Sequence, residues 1–424
     1  MMISTFLDEA YSNPQSTIMI QNQLSRFMNE DGEESFNEML RKALLMRAQK
    51  NQDLFWNEFL SWYFVQQKEY GKAFIQEKAI YKRNPETFSN IVNLAQLALE
   101  EGDQDAAQEI FTFVLENTSD LELLIEAHYH LADMRINSAK ADQYKEIESH
   151  LDKLLAEFGI SPYTLRLQLL QARLATFSLG NPERGKAILK AALEMPVSRQ
   201  QLAQVKMALA DVFLFEEKFN QALLYYSQIE EDMKNDVVGH EASLKSARTS
   251  YFKGDFDWAL TQFRTLKSAS TQLIANDALE YFLLINDNSV ADSTRTALGK
   301  FAKADYFLYQ NKIPQALAAF EKILTEHRGD EIEAATLLRI GTIYEKNGQY
   351  NQALARYSEI IEKHPEGIYV DEALFHSASV QQKNLNNPEA AKALYEKILF
   401  GHQDSIYFTE SRRQFRHLRG DSAL

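Results

Sequence analysis

The chain has 424 residues, 45% of them hydrophobic and 25% charged, a balance that supplies ample material for a core and excludes disorder as the default state. With 60 acidic against 45 basic residues the formal charge is -15, which argues against a sequence-independent grip on nucleic acid or anionic lipid, because such binding rests on Lys and Arg neutralising phosphates. No cysteine occurs, so disulfides, thiolate nucleophiles and thiolate metal ligands are excluded.

The opening MMISTFLDEAYSNPQ contains no Lys or Arg and no apolar run of the length that a secretory leader needs. No segment reaches the roughly 18 uninterrupted apolar residues of a membrane span, so direct membrane insertion is not expected. Ser12-Asn13-Pro14 has the character of a helix end, and the chain is expected to enter a larger array midway, as a piece of a longer protein. Residues 15 to 50 hold two amphipathic segments, STIMIQNQLSRFM and SFNEMLRKALLMRA. We assign residues 1–50 to N-terminal helices forming a partial repeat.

From residue 54 a template recurs. An alanine marks the second helix of each unit at Ala73, Ala107, Ala222, Ala259, Ala316, Ala353 and Ala391, with a bulky or apolar residue seven positions on. A small residue on the first helix lies twelve positions before it at Ser61, Ala95, Ala210, Ala247, Ala304 and Gly341. In the last unit it is Ala378, thirteen before Ala391, so LNNP (385 to 388) carries a one-residue insertion. Two divergent units fit between Ala107 and Ala222: AHYHLADM with IESHLDKLL, and LLQARLATFSLGNPERGKAILKAAL. From Ala222 onward the alanines are spaced by 37, 57, 37 and 38 residues. The long interval holds one extra helix, STQLIANDALEYFLLIN (270 to 286), which has no partner in the register and should interrupt the stack. The template thus divides the chain into a first array segment (54–268), an inserted helix (269–290), a second segment (291–402) and a capping helix with a tail (403–424).

One unit explains the spacing physically. In GTIYEKNGQYNQALARYSEIIEKHP (341 to 365), Gly341 and Ala353 are small so that two helix backbones can approach where they cross. Tyr344, Tyr357 and Ile360 fill the space around that contact, Gly348 permits a positive-φ turn, and Pro365 blocks continuation of the second helix. This pattern resembles the tetratricopeptide repeat, a helix-turn-helix unit of about 34 residues. The resemblance implies an all-α, right-handed superhelical solenoid of antiparallel helix pairs.

Reaction chemistry is missing from the sequence. There is no phosphate-cradling glycine loop, HExxH or nucleophile elbow. Gly102, Gly254 and Gly348 fall at turns between paired helices. His128 and His130 are two residues apart, a spacing that points them to different helix faces, so no metal site is expected there. We expect no catalytic residue, cofactor or metal.

The resemblance implies instead a concave surface lined by first helices that holds a segment of another protein. Carried onto this sequence, its groove positions include Phe55 and Trp62; Met207, Asp211, Leu214 and Phe215; Leu244, Arg248, Tyr251 and Phe252; Phe301, Asp305, Leu308 and Tyr309. Each set of four has the spacing of one helix face, distinct from the packing stripe of Ser243, Ser246, Ala247 and Ser250. We take Trp62, Asp211, Phe215, Arg248, Tyr251, Phe252, Phe301, Asp305 and Tyr309 as the candidate peptide groove, with packing under a neighbouring repeat or the extra helix as the alternative fate of the aromatics. The carboxylate clamp of chaperone-binding members needs Lys and Asn where this chain has Leu244 and Arg248, Phe301 and Asp305, or Leu338 and Thr342, so a cochaperone role is not expected. The basic end with Arg412, Arg413, Arg416 and Arg419 is read as a solvated terminal helix.

HPEGIYVDEALFHSA and GHQDSIYFTESRRQF share an Ile-Tyr pattern that is similar to tetratricopeptide proteins of the bacterial cell envelope. This second resemblance implies a non-catalytic scaffold for a protein or peptide in the assembly of envelope complexes, periplasmic if a leader precedes the sequence and cytoplasmic otherwise. The alternative is a regulatory array that senses a peptide by changing curvature.

Overall fold

The computed structural model describes residues 2–29, 34–51, 53–85, 88–234, 236–269, 272–291 and 294–420. Among them are 23 α-helices and no strand. Contacts divide the chain into two compact units, one running to Ala139 and the other from Lys140 to Arg419.

The first unit contains α1 (Met2–Ser12), α2 (Thr17–Asn29), α3 (Glu34–Lys50), α4 (Leu54–Gln66), α5 (Tyr70–Arg83), α6 (Ser89–Glu100), α7 (Gln104–Asn117) and α8 (Leu121–Ser138). Helix α4 pairs with α5, and α6 with α7. Helix α1 ends one residue before the Asn13-Pro14 pair, and packs on α2 and α3. Its Tyr11 stacks on Trp56 with ring centroids 5.2 Å apart and meets Phe55 edge-on at 5.4 Å.

The second unit begins with α9 (Tyr144–Phe158), α10 (Leu165–Arg173), α11 (Pro182–Leu193), α12 (Arg199–Phe215), α13 (Phe219–Asp232), α14 (Val237–Lys253), α15 (Phe256–Ala269) and α16 (Gln272–Ala291). It continues with α17 (Thr296–Tyr309), α18 (Ile313–Glu326), α19 (Ile332–Lys346), α20 (Tyr350–Lys363), α21 (Val370–Lys383), α22 (Pro388–Gly401) and α23 (Phe408–Arg419). The pairs are α10 with α11, α12 with α13, α14 with α15, α17 with α18, α19 with α20 and α21 with α22. Helix α23 lies on α22 and brings Phe415 and Leu418 onto the last core cluster. The inserted helix runs past residue 286 to Ala291 and packs along α15. One divergent unit differs from its expected form, because AHYHLADM lies on α8 and IESHLDKLL on α9, in different units. The other is a true pair, with a π-helical turn at Leu174–Ser178 ending α10 and Gly185 of α11 set against Thr176.

Small residues fix the crossings as the spacing requires. All seven second-helix alanines, together with Ala95, Ala210, Ala247, Ala304 and Ala378, are 0% exposed. At Gly341 a β-carbon would stand 2.4 Å from Cε1 of Tyr357, a distance that no packed side chain tolerates. The turns within these pairs share a second constraint, one residue in the left-handed region. Gly102, Gly254 and Gly348 occupy it at no steric cost, whereas Lys68, Glu217, Asn311 and Asn386 occupy it with a side chain attached.

Two substitutions involving glycine should therefore move stability in opposite directions. Gly341→Ala forces the buried Tyr357 ring to shift and should destabilise by about 1 to 3 kcal/mol. Glu217→Gly relieves the left-handed strain of an exposed residue and should stabilise by roughly 0.5 to 1 kcal/mol. Urea denaturation midpoints check both, and equal midpoints would refute the crossing and turn assignments.

Candidate functional site

Eight of the nine candidate groove residues lie in the second unit; Trp62 is in the first. Trp62 is half-buried on α4, its ring edge-on to Phe59 at 5.2 Å. The nearby Phe55 lies beneath Tyr11. The other eight lie on α12, α14 and α17; Phe301 packs on Phe320 of its pair partner α18 at 5.1 Å, while Asp305 and Tyr309 of α17 are docked against α14 and α12.

The docking is detailed. The Tyr306 hydroxyl donates to the Leu214 carbonyl at 2.6 Å and accepts from the Glu217 amide at 3.2 Å and from Gln310 Nε2 at 3.0 Å. Gln310 Nε2 also donates to the Phe215 carbonyl at 2.7 Å, and the Tyr309 hydroxyl to the Asp211 carbonyl at 2.9 Å. Asn311 Nδ2 reaches the Phe177 carbonyl, in the π-helical turn, at 3.3 Å. The last carbonyls of a helix lack intrahelical partners; here α17 and its following turn supply donors to the end of α12. Around these bonds Phe252 packs on Tyr306 and Tyr309 at 5.4 and 5.7 Å, and Phe177 meets Phe215 and Tyr309 edge-on.

Charge is carried inside the same contact. Asp211 accepts from the Tyr226 hydroxyl at 2.6 Å and from Lys245 Nζ at 2.7 Å. Arg248 lies over the rings of Phe252 and Tyr281 at 5.8 and 5.5 Å, with its Nε buried and unbonded. Asp305 is buried; it pairs with Arg339 Nε of α19 at 3.1 Å and accepts from the Tyr251 hydroxyl at 3.4 Å. Burial pushes its carboxyl above the usual range, while Arg339 and Arg248 pull it back. Arg339 also reaches Glu280 of α16 at 3.1 Å, which ties the inserted helix to the following stack.

Of the two fates open to the candidate groove aromatics, packing against a neighbouring element is the one that α14 and α17 show. Tyr251, Phe252 and Phe301 are buried, and Phe215, Arg248 and Tyr309 are half-buried. The physical cause is α16, which occupies the place beside α15 that the next first helix would take, so that α17 contacts α14 and, through Tyr306 and Tyr309, the end of α12. Tyr306, Gln310, Arg339 and Phe177 complete the contact and were not singled out from the sequence. The signal available for them was the extra helix, but spacing alone does not say where the next helix goes.

A second cluster lines the C-terminal pairs. Glu345 accepts from the Tyr357 hydroxyl at 2.7 Å and lies 3.0 Å from His376 Nδ1, and Glu372 lies 3.8 Å from His376 Nε2. Burial acts first to raise the Glu345 carboxyl, but its bonds to His376 and Tyr357 outweigh burial and hold it below the ordinary value. Phe375 stacks on Tyr407 at 4.6 Å. Among the described residues no group of three or more His, Asp or Glu side chains is placed to hold a metal, and no helix is long and apolar enough to cross a membrane.

Residues 335–367 and 372–399, the α19–α20 and α21–α22 pairs, match the family model of the tetratricopeptide repeat, and the described residues are all-α. No curated protein matches the chain. Among solved structures, the P58(IPK) TPR domain is 16% identical, with 88% of this chain and 99% of that one covered and a TM-score of 0.25. A tetratricopeptide repeat protein from Parabacteroides merdae is 14% identical, with 72% and 100% covered and a TM-score of 0.39. A human IFIT1 dimer with PPP-AAAA is 15% identical, with 92% and 85% covered and a TM-score of 0.33.

Truncating the docked rings should act on folding. Tyr251→Ala combined with Phe252→Ala should destabilise the second unit by at least the ~3 to 5 kcal/mol of one large buried aromatic, whereas Tyr306→Phe removes one hydroxyl and should cost about 0.5 to 1.5 kcal/mol. Thermal or urea unfolding followed by circular dichroism distinguishes them. The Glu345 carboxyl, titrated by carbon-13 NMR, should move upward in His376→Ala. Because its folded value lies below the unfolded one, its contribution to stability is present above the ordinary 4.5 and is lost as pH falls through the folded value.

Proposed function

We propose that this protein is a non-catalytic scaffold that binds a protein or peptide segment along the first helices of its C-terminal repeats, α19 and α21. The observation that carries the proposal is a row of half-exposed side chains, Glu345, Glu372, Phe375 and His376 with Tyr407 beside them, on elements that match the tetratricopeptide repeat. Aromatic and charged groups in partial contact with solvent are what a peptide anchor site requires. On the first unit the same reading extends to Trp62.

The absence of a catalytic motif from the sequence supports a binding role. Assembly of bacterial envelope complexes is the finer form of the proposal and rests on the resemblance of the two Ile-Tyr segments, 368 to 369 and 406 to 407. A second reading, an array that senses a peptide by changing curvature, is favoured by the docking of α17 on α12 and α14, because a contact of that kind has a defined closed state.

Cross-linked affinity capture with the intact chain would supply the partner. Against that partner, Phe375→Ala with Glu372→Gln should weaken binding about tenfold or more, as interface energy concentrates in a few large side chains. Unchanged binding by the double variant, with helical content retained, would overturn the assignment of this face.

A further inference from the structure

Within the second unit a cavity of about 210 Å³ opens where the carboxyl-terminal half of α16, the start of α19 and the turn leading from α20 into α21 come together. Three of its lining side chains are carboxylates: Asp287 of α16, Glu331 just before α19, and Glu366 in the turn. None of the three is ion-paired with a Lys, Arg or His among the described residues. Elsewhere the C-terminal pairs neutralise their carboxylates closely, as Arg356 does for Glu321 and Glu359. His364, the one basic group of the lining, lies 3.8 Å from Glu333 Oε2 instead. Asn288 adds a fourth acceptor. It lines the cavity while only 8% exposed, its Nδ2 donates to the Leu284 carbonyl at 2.8 Å, and its Oδ1 has no hydrogen-bond partner among the described residues. Buried polar atoms of folded proteins are met by partners, so this oxygen calls for a donor from the cavity. Much of the remaining wall is apolar or aromatic, with Leu284, Ile368 and Tyr369. Burial first, and then Glu280, Glu372 and Asp287, push the Tyr369 phenol above its ordinary range against the pull of Arg339, so negative charge prevails around this ring.

We propose that this cavity is a pocket for one cationic side chain, the ammonium or guanidinium group of a lysine or arginine on the bound partner segment. The identity of the occupant rests on the reading of α19 and α21 as the partner face. The cavity adjoins that face, because Tyr369 immediately precedes α21 and Glu372 lies one turn further on. Charge decides the sign of the ligand. Three unpaired carboxylates and an amide oxygen form a set of acceptors, which a group composed of N–H donors satisfies and an anion does not. Spread decides its kind. The acidic side chains line different walls, and among the described residues no three of them converge to hold a metal ion, so an extended organic cation is the better fit. Size decides how much of it enters. Pockets that enclose whole small molecules begin at roughly 300 Å³, and this one is smaller. Lys and Arg lay their alkyl stems on apolar surface while the charged head stays with polar groups, a role open to Leu284 and Ile368, and a tyrosine ring such as that of Tyr369 attracts the cation itself.

The test uses the full chain, methyl-labelled at Ile, Leu and Ala, with n-propylguanidinium and n-butylammonium as probes, which are the arginine and lysine side chains without a backbone. In the wild type, the NMR signals of the Leu284, Ala334 and Ile368 methyls should shift saturably with millimolar cation and stay fixed with butyrate or n-butanol at the same concentration. This titration does not depend on any variant folding, and no shift, or an equal shift with n-butanol, overturns the pocket. Asp287→Asn with Glu366→Gln should weaken the cation response at least tenfold. Glu389→Gln with Glu396→Gln, which removes the same charge from α22, should leave it unchanged. A response that survives the first pair, or falls equally with the second, overturns the pocket as well. A micromolar Kd for either small cation would mark a site for a free amine or guanidine and overturn its assignment to a partner's side chain. Phe375→Ala with Glu372→Gln, the variant that tests the partner face, should leave the cation response intact, so failure of that face and failure of this pocket are separate results. Against the captured partner, Asp287→Asn with Glu366→Gln should weaken binding about tenfold, and unchanged binding overturns the occupant.

Discussion

Everything in this fold depends on how closely two helix backbones approach where a pair crosses. The approach is set by residues with little or no side chain, such as Gly341 against the Tyr357 ring and Ala353 at 0% exposure. A larger group there would separate the pair, and with it the bed on which the next pair lies, because each unit of such an array is stabilised by its neighbours. The surfaces available for binding are fixed by the same geometry. Once the small stripe of a first helix is committed to its partner helix, the opposite stripe is turned toward whatever lies inside the curve.

The extra helix changes what lies there. A regular succession of pairs would leave the first helices side by side and their inner stripes open. Helix α16 uses the place of a first helix without bringing a second one, and α17 then lies across α14 with its tyrosines at the end of α12. One helix out of register thus converts two potential binding stripes into a single internal contact. A buried carboxylate such as Asp305, even paired with the half-buried Arg339, would cost more than it returns in an apolar setting. Here Tyr251 and Glu280 complete the network, and a polar network with its members bonded specifies one arrangement of the helices.

The helix pairs are legible in the sequence because their determinants are local. Small residues at intervals of twelve, and bulky ones at seven, are imposed by the crossing within one pair, and left-handed turn positions are marked wherever glycine fills them. Lys68, Glu217, Asn311 and Asn386 adopt the same conformation without such a mark. The stripe composition of α12, α14 and α17 was also legible, since residues four, seven and eight apart share a helix face. Whether that stripe meets solvent or protein was not, because the answer depends on contacts such as Tyr306 to Leu214, separated by 92 residues. The spacing showed that a helix had been added. It did not show that the following helix would turn inward and cover Tyr251 and Phe252.

That long-range contact also bears on how the chain reaches its folded state. A linear array can nucleate at any pair and grow by adding neighbours, so its folding involves only short loops. The stretch from the π-helical turn at Phe177 to Asn311 is different, because its ends meet and the intervening helices form a closed loop of 134 residues. Closing a loop of that length carries an entropic cost that local pairing does not. That contact therefore carries a larger closure cost than any contact within a helix pair.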